Sequence, residues 1–149
     1  MLPEGALREP AEVIGRVAAA ALAPGEVATP NRFVGTELTA SLVDAERPTM
    51  VPLKIADPTV VPLLHHGDTV TIITQRDEAS PYQLVATGAR VVVASPAKGH
   101  DPANLLVALP EPDAQRVAAA SLTTPLAVVL TGDRAGNVAP APEPARPLE

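Results

Sequence analysis

The chain contains no cysteine and no tryptophan. The first absence excludes disulfides, thiolate metal sites and a cysteine nucleophile together. Phe33 and Tyr82 are the whole aromatic content, so the core has to be packed from Val, Leu, Ile and Ala. Few rings also means no platform for base stacking. With 17 acidic residues against 11 basic ones there is no basic groove either, and nucleic acid is not an expected partner. The sequence has no run of roughly 18 apolar residues. Its opening, Met1-Leu2-Pro3-Glu4-Gly5, has neither the basic start nor the apolar stretch of a signal peptide.

What is present is 46% hydrophobic residues in 149, enough for the core of one ordinary domain. Eighteen prolines and nine glycines interrupt the chain every few residues, which rules out long helices and favours many short strands. The expected fold class is therefore mainly β, with one or two short helices. Val51, Leu53 and Ile55 alternate onto one face of a strand whose Pro52 marks an edge or bulge position. Asp57-Pro58 starts a short helical turn, with Asp57 as N-cap, Pro58 at the first position and Val60, Val61 and Leu64 turned inward. Gly67-Asp68 reverses the chain into a β-branched strand at 69–74. Further strands are predicted at 83–87, 89–95, 104–109 and 126–131, the first two separated at Thr87-Gly88. The end of the chain, 132–149, is rich in Pro and Ala, cannot bury a core and reads as a disordered linker.

A near-repeat tests the limits of local propensity. Arg16-Val17-Ala18-Ala19-Ala20-Ala21-Leu22 recurs as Arg116-Val117-Ala118-Ala119-Ala120-Ser121-Leu122. Glu111-Pro112-Asp113 gives the second copy a proline and two acids in its first turn. Ala114, Val117, Ala118, Ser121 and Leu122 share one helical face, so a helix is predicted at about 112–122. The first copy follows Gly15 directly, ends at the Pro24-Gly25 turn and has no clear cap.

Chemistry-bearing side chains are sparse. His65, His66 and Asp68 form the one cluster with metal-ligand character, and His100 stands beside Asp101. Adjacent histidines in an extended segment point to opposite faces and do not readily share an ion, so the cluster reads as a polar turn and no metal is expected. Ser41, Ser80, Ser95 and Ser121 lack a Gly-x-Ser-x-Gly frame or an identifiable base. Gly15, Gly25, Gly35 and Gly67 make neither a dinucleotide fingerprint nor a P-loop. Asp77-Glu78 and Asp44-Glu46 stand in predicted loops, where solvated carboxylates are ordinary. No catalytic residue, no cofactor and no enzyme activity are expected.

The order of these pieces resembles the periplasmic core of the CpaB/RcpC family of Flp (tight adherence) pilus assembly proteins. The resemblance rests on Gly15-Arg16 followed by Pro24-Gly25-Glu26, on Leu64-His65-His66-Gly67-Asp68-Thr69-Val70-Thr71-Ile72, on Ala89-Arg90-Val91-Val92-Val93-Ala94, on Asn104-Leu105-Leu106-Val107-Ala108-Leu109-Pro110, and on Leu126-Ala127-Val128-Val129-Leu130. It covers roughly 11–131. His66 takes the place of the family's usual proline and Thr71 that of its second aspartate, so any role tied to that aspartate does not carry over.

The resemblance implies a SAF (β-clip)-like fold, with a lead-in at 1–10, a partial SAF-like segment at 11–49, and a CpaB/RcpC-like β core at 50–131 packed with it as one domain. For the first copy of the near-repeat it implies an extended segment. It also implies a non-enzymatic role outside the cytoplasm, with other pilus-assembly proteins as partners. Family members begin with a transmembrane helix, so this chain is expected to be a soluble piece of a membrane-anchored protein, ending in a cloning remnant, Leu148-Glu149. SAF modules that bind sugars suggest an alternative, a carbohydrate or peptidoglycan binding module, for which Arg16 is the candidate ligand contact.

Overall fold

The computed structural model describes residues 2–75, 78–79 and 81–132. The fold is mainly β, as the turn spacing predicts. Five strands, β1 (Pro48–Leu53), β2 (Thr69–Thr74), β3 (Gln83–Ser95), β4 (Asn104–Pro110) and β5 (Leu126–Thr131), form one antiparallel sheet in the order β1-β4-β3-β2-β5. The sheet curls until its two ends meet. Just past β1, the Ala56 N–H donates to the Leu126 carbonyl at 2.8 Å, and Ile55 bridges Leu126 in parallel. The result is a barrel closed by a single short seam.

Period-two alternation builds the interior. Val70 and Ile72 of β2, Leu105, Val107 and Leu109 of β4, and Leu126 of β5 point inward and are fully buried. A helix at Glu111–Ser121, α2, packs against β1, β3 and β4 and contributes Ala114 and Val117 to the same core. Its apolar face is narrower than the sequence predicts. Ala114 and Val117 are buried and Ala120 packs beside them, but Ala118 is exposed within the helix and Leu122, which keeps helical backbone at the C-cap, is 85% exposed.

Two further expectations are resolved by backbone geometry. Thr87-Gly88 does not separate two strands; β3 runs unbroken through them. Gly88 takes a φ of +71° beside a shift in the β2–β3 register, so the glycine absorbs a bulge and pairing resumes on both sides. Pro58–Leu63 is a 3₁₀ helix that starts as predicted, with Asp57 accepting from the Thr59 N–H at 3.0 Å. Val61 and Leu64 are buried under it and Val60 is half-buried.

The two halves of the near-repeat take different structures, as expected. The second is α2. The first is extended: Ala18 bridges Phe33, the Ala19 N–H donates to Arg32 O at 3.0 Å, and the Val34 N–H donates to Val17 O at 2.7 Å. This segment and a second helix, α1 (Thr36–Leu42), lie over the outside of the sheet. Ala19, Leu38 and Val43 pack there on Val92 of β3 and Ala108 of β4. The Pro/Ala-rich tail falls outside the described residues, apart from Gly132 at its start.

Candidate functional site at the bare half of the sheet

The polar residues singled out in the sequence are spread apart and engaged locally. At the turn before β2, Asp68 is buried and its Oδ2 accepts the His65 N–H at 2.8 Å. The His66 Nδ1 lies 2.8 Å from the Val92 carbonyl, while the His65 ring is exposed. The backbone of the turn is stitched to β3 from Gly67 N to Val91 O and from Val91 N to Asp68 O, both at 2.8 Å. This is the arrangement of a carboxylate that closes a turn. His100 and Asp101 sit in a separate two-bonded turn with Lys98. Among the described residues no group of three His, Asp or Glu stands close enough to hold an ion.

Arg16 is half-buried beneath α1. Its guanidinium lies 5.2 Å from the centre of the Phe33 ring and 4.0 Å from the Glu37 carboxylate. It clamps the extended segment to the start of α1, where Phe33 is 2% exposed. The Ser41 and Ser121 hydroxyls donate to carbonyls of their own helices, Leu38 and Ala118, at 2.7 Å. Ser80 and Asp77 lie outside the described residues.

Among the described residues, the carboxylates with lowered pKa values serve exposed turns. Asp57 is lowered by the Thr59 hydroxyl and N–H. Glu26 is lowered by the Ala23 N–H and by Arg32, 2.6 Å away. Glu12 is lowered by the N–H groups of Glu9 and Arg8. A cleft of about 260 Å³ between α2 and the start of β3 includes one cation, Arg116, already bonded to Asp113 at 2.9 Å and to the Val85 carbonyl at 3.2 Å.

The remaining feature is a surface. On the outer face of β2, β3 and β5, Ile73 stands between Ala127 on one side and Leu84 on the other. Leu84 is 53% exposed, Val129 46% and Tyr82, just before β3, 63%. At the seam, Ala56, Ile73, Pro81, Tyr82, Pro125 and Ala127 line a hollow of about 240 Å³. None of α1 or the extended N-terminal segment covers this half, since their apolar side chains go to Val92 and Ala108.

β5 is also the freer of the two edge strands. Leu126–Thr131 reads Leu-Ala-Val-Val-Leu-Thr, with no charge and no proline, whereas β1 has Pro48 and Pro52, which cannot donate to a ladder. The uncharged β5 run is a signal already present in the sequence, but periodicity alone does not show which strands end up at an edge. Comparison of the chain with family models, curated proteins and solved structures returned no match.

Proposed function

We propose that this chain is a non-enzymatic component of Flp pilus assembly, working outside the cytoplasm in a membrane-anchored parent protein, and that it acts through protein–protein contact. The setting comes from the sequence resemblance over roughly 11–131, with its SAF (β-clip)-like segment. The observation that supports the mode of action is the bare, uncharged β5 edge, continuous with the outer-face apolar row of Ala127, Ile73 and Leu84. Strand addition to such an edge needs main-chain groups and no catalytic side chain. Glycan binding has less support, because the Arg16 guanidinium is taken up by the Phe33 ring and the Glu37 carboxylate.

The test uses the full-length protein in cells, with pilus assembly as the readout. Val129→Lys is expected to abolish or strongly reduce assembly at normal protein levels. Arg16→Ala, His65→Ala and His66→Ala are expected to leave it near wild type. Loss of assembly in a folded Arg16→Ala protein, with Val129→Lys active, would replace this reading with a ligand site.

A further inference from the structure

We infer that the partner of β5 is β5 of a second copy of this chain, paired antiparallel about a two-fold axis through Val129. The inference rests on the reading of β5 as a docking edge and narrows its occupant. The register follows from the backbone. The Leu126 carbonyl points away from β2, because it accepts the Ala56 N–H at the seam. β5 pairs with β2 without a register shift from Thr69↔Thr131 to Thr74↔Leu126. Backbone groups alternate sides residue by residue, so the N–H and C=O of Val128 and Leu130 also point outward, and those of Val129 point to β2.

Two such edges fit each other in few ways. Residues directly opposite in an antiparallel pair share a face, so outward-facing Ala127, Val129 and Thr131 have to meet one another. Centring the axis on Val128 would set Leu130 of one copy opposite Leu126 of the other, where Ile55 and Ala56 already sit. Centring it on Val129 sets Val129 against its symmetry mate and Ala127 against Thr131, and it lets Val128 and Leu130 exchange backbone hydrogen bonds.

The second copy is favoured as occupant by this self-match and by charge. A net charge of −6 on the chain opposes association in general, but no charged side chain lies in Leu126–Thr131 to meet its own mate. The strand also lacks the lysine, proline or bulge by which edge strands ordinarily avoid pairing. The contact is short, well below the roughly 800 Å² per partner of a standard interface, so the dimer is reversible and forms at high concentration.

Sedimentation and amide NMR over about 10 µM to about 1 mM test this, a range suited to a small transient interface. The expected result is a monomer–dimer equilibrium in which the Val128 and Leu130 amides shift and gain exchange protection with concentration. The Val129 amide, facing β2, should hold still. Val129→Lys should weaken association at least about tenfold with an unchanged melting temperature, because the side chain is exposed, while Thr49→Lys on β1 should leave it intact. A chain that is monomeric throughout overturns the inference, as does dimerisation that survives Val129→Lys or moves the β1 amides instead. A monomeric chain whose Val129→Lys variant still fails in pilus assembly would remove self-pairing and leave the docking reading standing.

Discussion

The outer face of this sheet is two surfaces of similar composition with different fates. On β4 and the second half of β3, Ala108 and Val92 lie under Ala19, Leu38 and Val43 and are fully buried. On β2, β5 and the start of β3, Ile73, Leu84 and Val129 face outward with nothing from the N-terminal segment over them. Apolar alternation alone does not distinguish the two. The difference lies in reach: residues 17–45 lead into β1, next to β4, and their buried apolar side chains pack on the strands beside it. A strand face is core or interface according to what else the chain can lay across it.

The sharpest test of that contrast is a matched pair of truncations. Leu38→Ala removes a buried side chain from the roof and is expected to cost about 2–5 kcal/mol in urea unfolding. Val129→Ala on the bare half is expected to stay within about 0.5 kcal/mol of wild type for the monomer. Equal costs would mean that the two halves are equally packed in solution.

A smaller effect is expected at the turn that ties the halves together. Asp68→Ala leaves the His65 N–H without its acceptor and loosens the bonds from Gly67 and Asp68 to Val91. A loss of about 1–2 kcal/mol is expected, with Asp68→Asn recovering part of it. If stability is unchanged, the turn is held by its backbone alone.

The smallest effect concerns acid. Glu12 and Glu26 both lie in the segment that leads into the roof, and both titrate below the ordinary value of 4.5. A carboxylate lowered by folding adds stability that is complete above its unfolded pKa and is lost as pH falls through the folded one. Exchange at the Ala19 and Val34 amides should therefore quicken modestly below pH 4.5, relative to β2 amides, and show no change between pH 6 and 5. Both carboxylates are exposed, so solvent screens their contribution to stability.

Much of the β architecture was legible because its signals are local. The β-branched run at 69–74, the neutral run at 126–131 and the capped start at Asp57 each name an element without help from elsewhere. The second copy of the near-repeat was legible through its flanks, whereas Arg-Val-Ala-Ala-Ala supports either state and the first copy had no flanking signal of its own. Gly88 misled because a glycine marks a strand end and a bulge with the same letter, and the register across β2 decides between them. Leu122 misled because the packed stripe of α2 runs through Ala114, Val117 and Ala120, which leaves Ala118 and Leu122 on the solvent side. α1 was missed, although Leu38 and Leu42 stand four apart after Gly35. The bare face was out of reach in principle, because it depends on strand order, which no single segment encodes.

The seam has a consequence for how this molecule comes into being. Ile55 and Leu126 are almost half the chain apart, and the roof requires Val92 and Ala108, made long after Ala19 and Leu38. A chain emerging from the ribosome with its N-terminus first has nothing on which to fold its opening third. Closure waits for the last strand, and contacts of such sequence separation make the search slow. Until β5 arrives, β2 is itself an open edge, so the same pairing that finishes one molecule is available, for a time, to its neighbour.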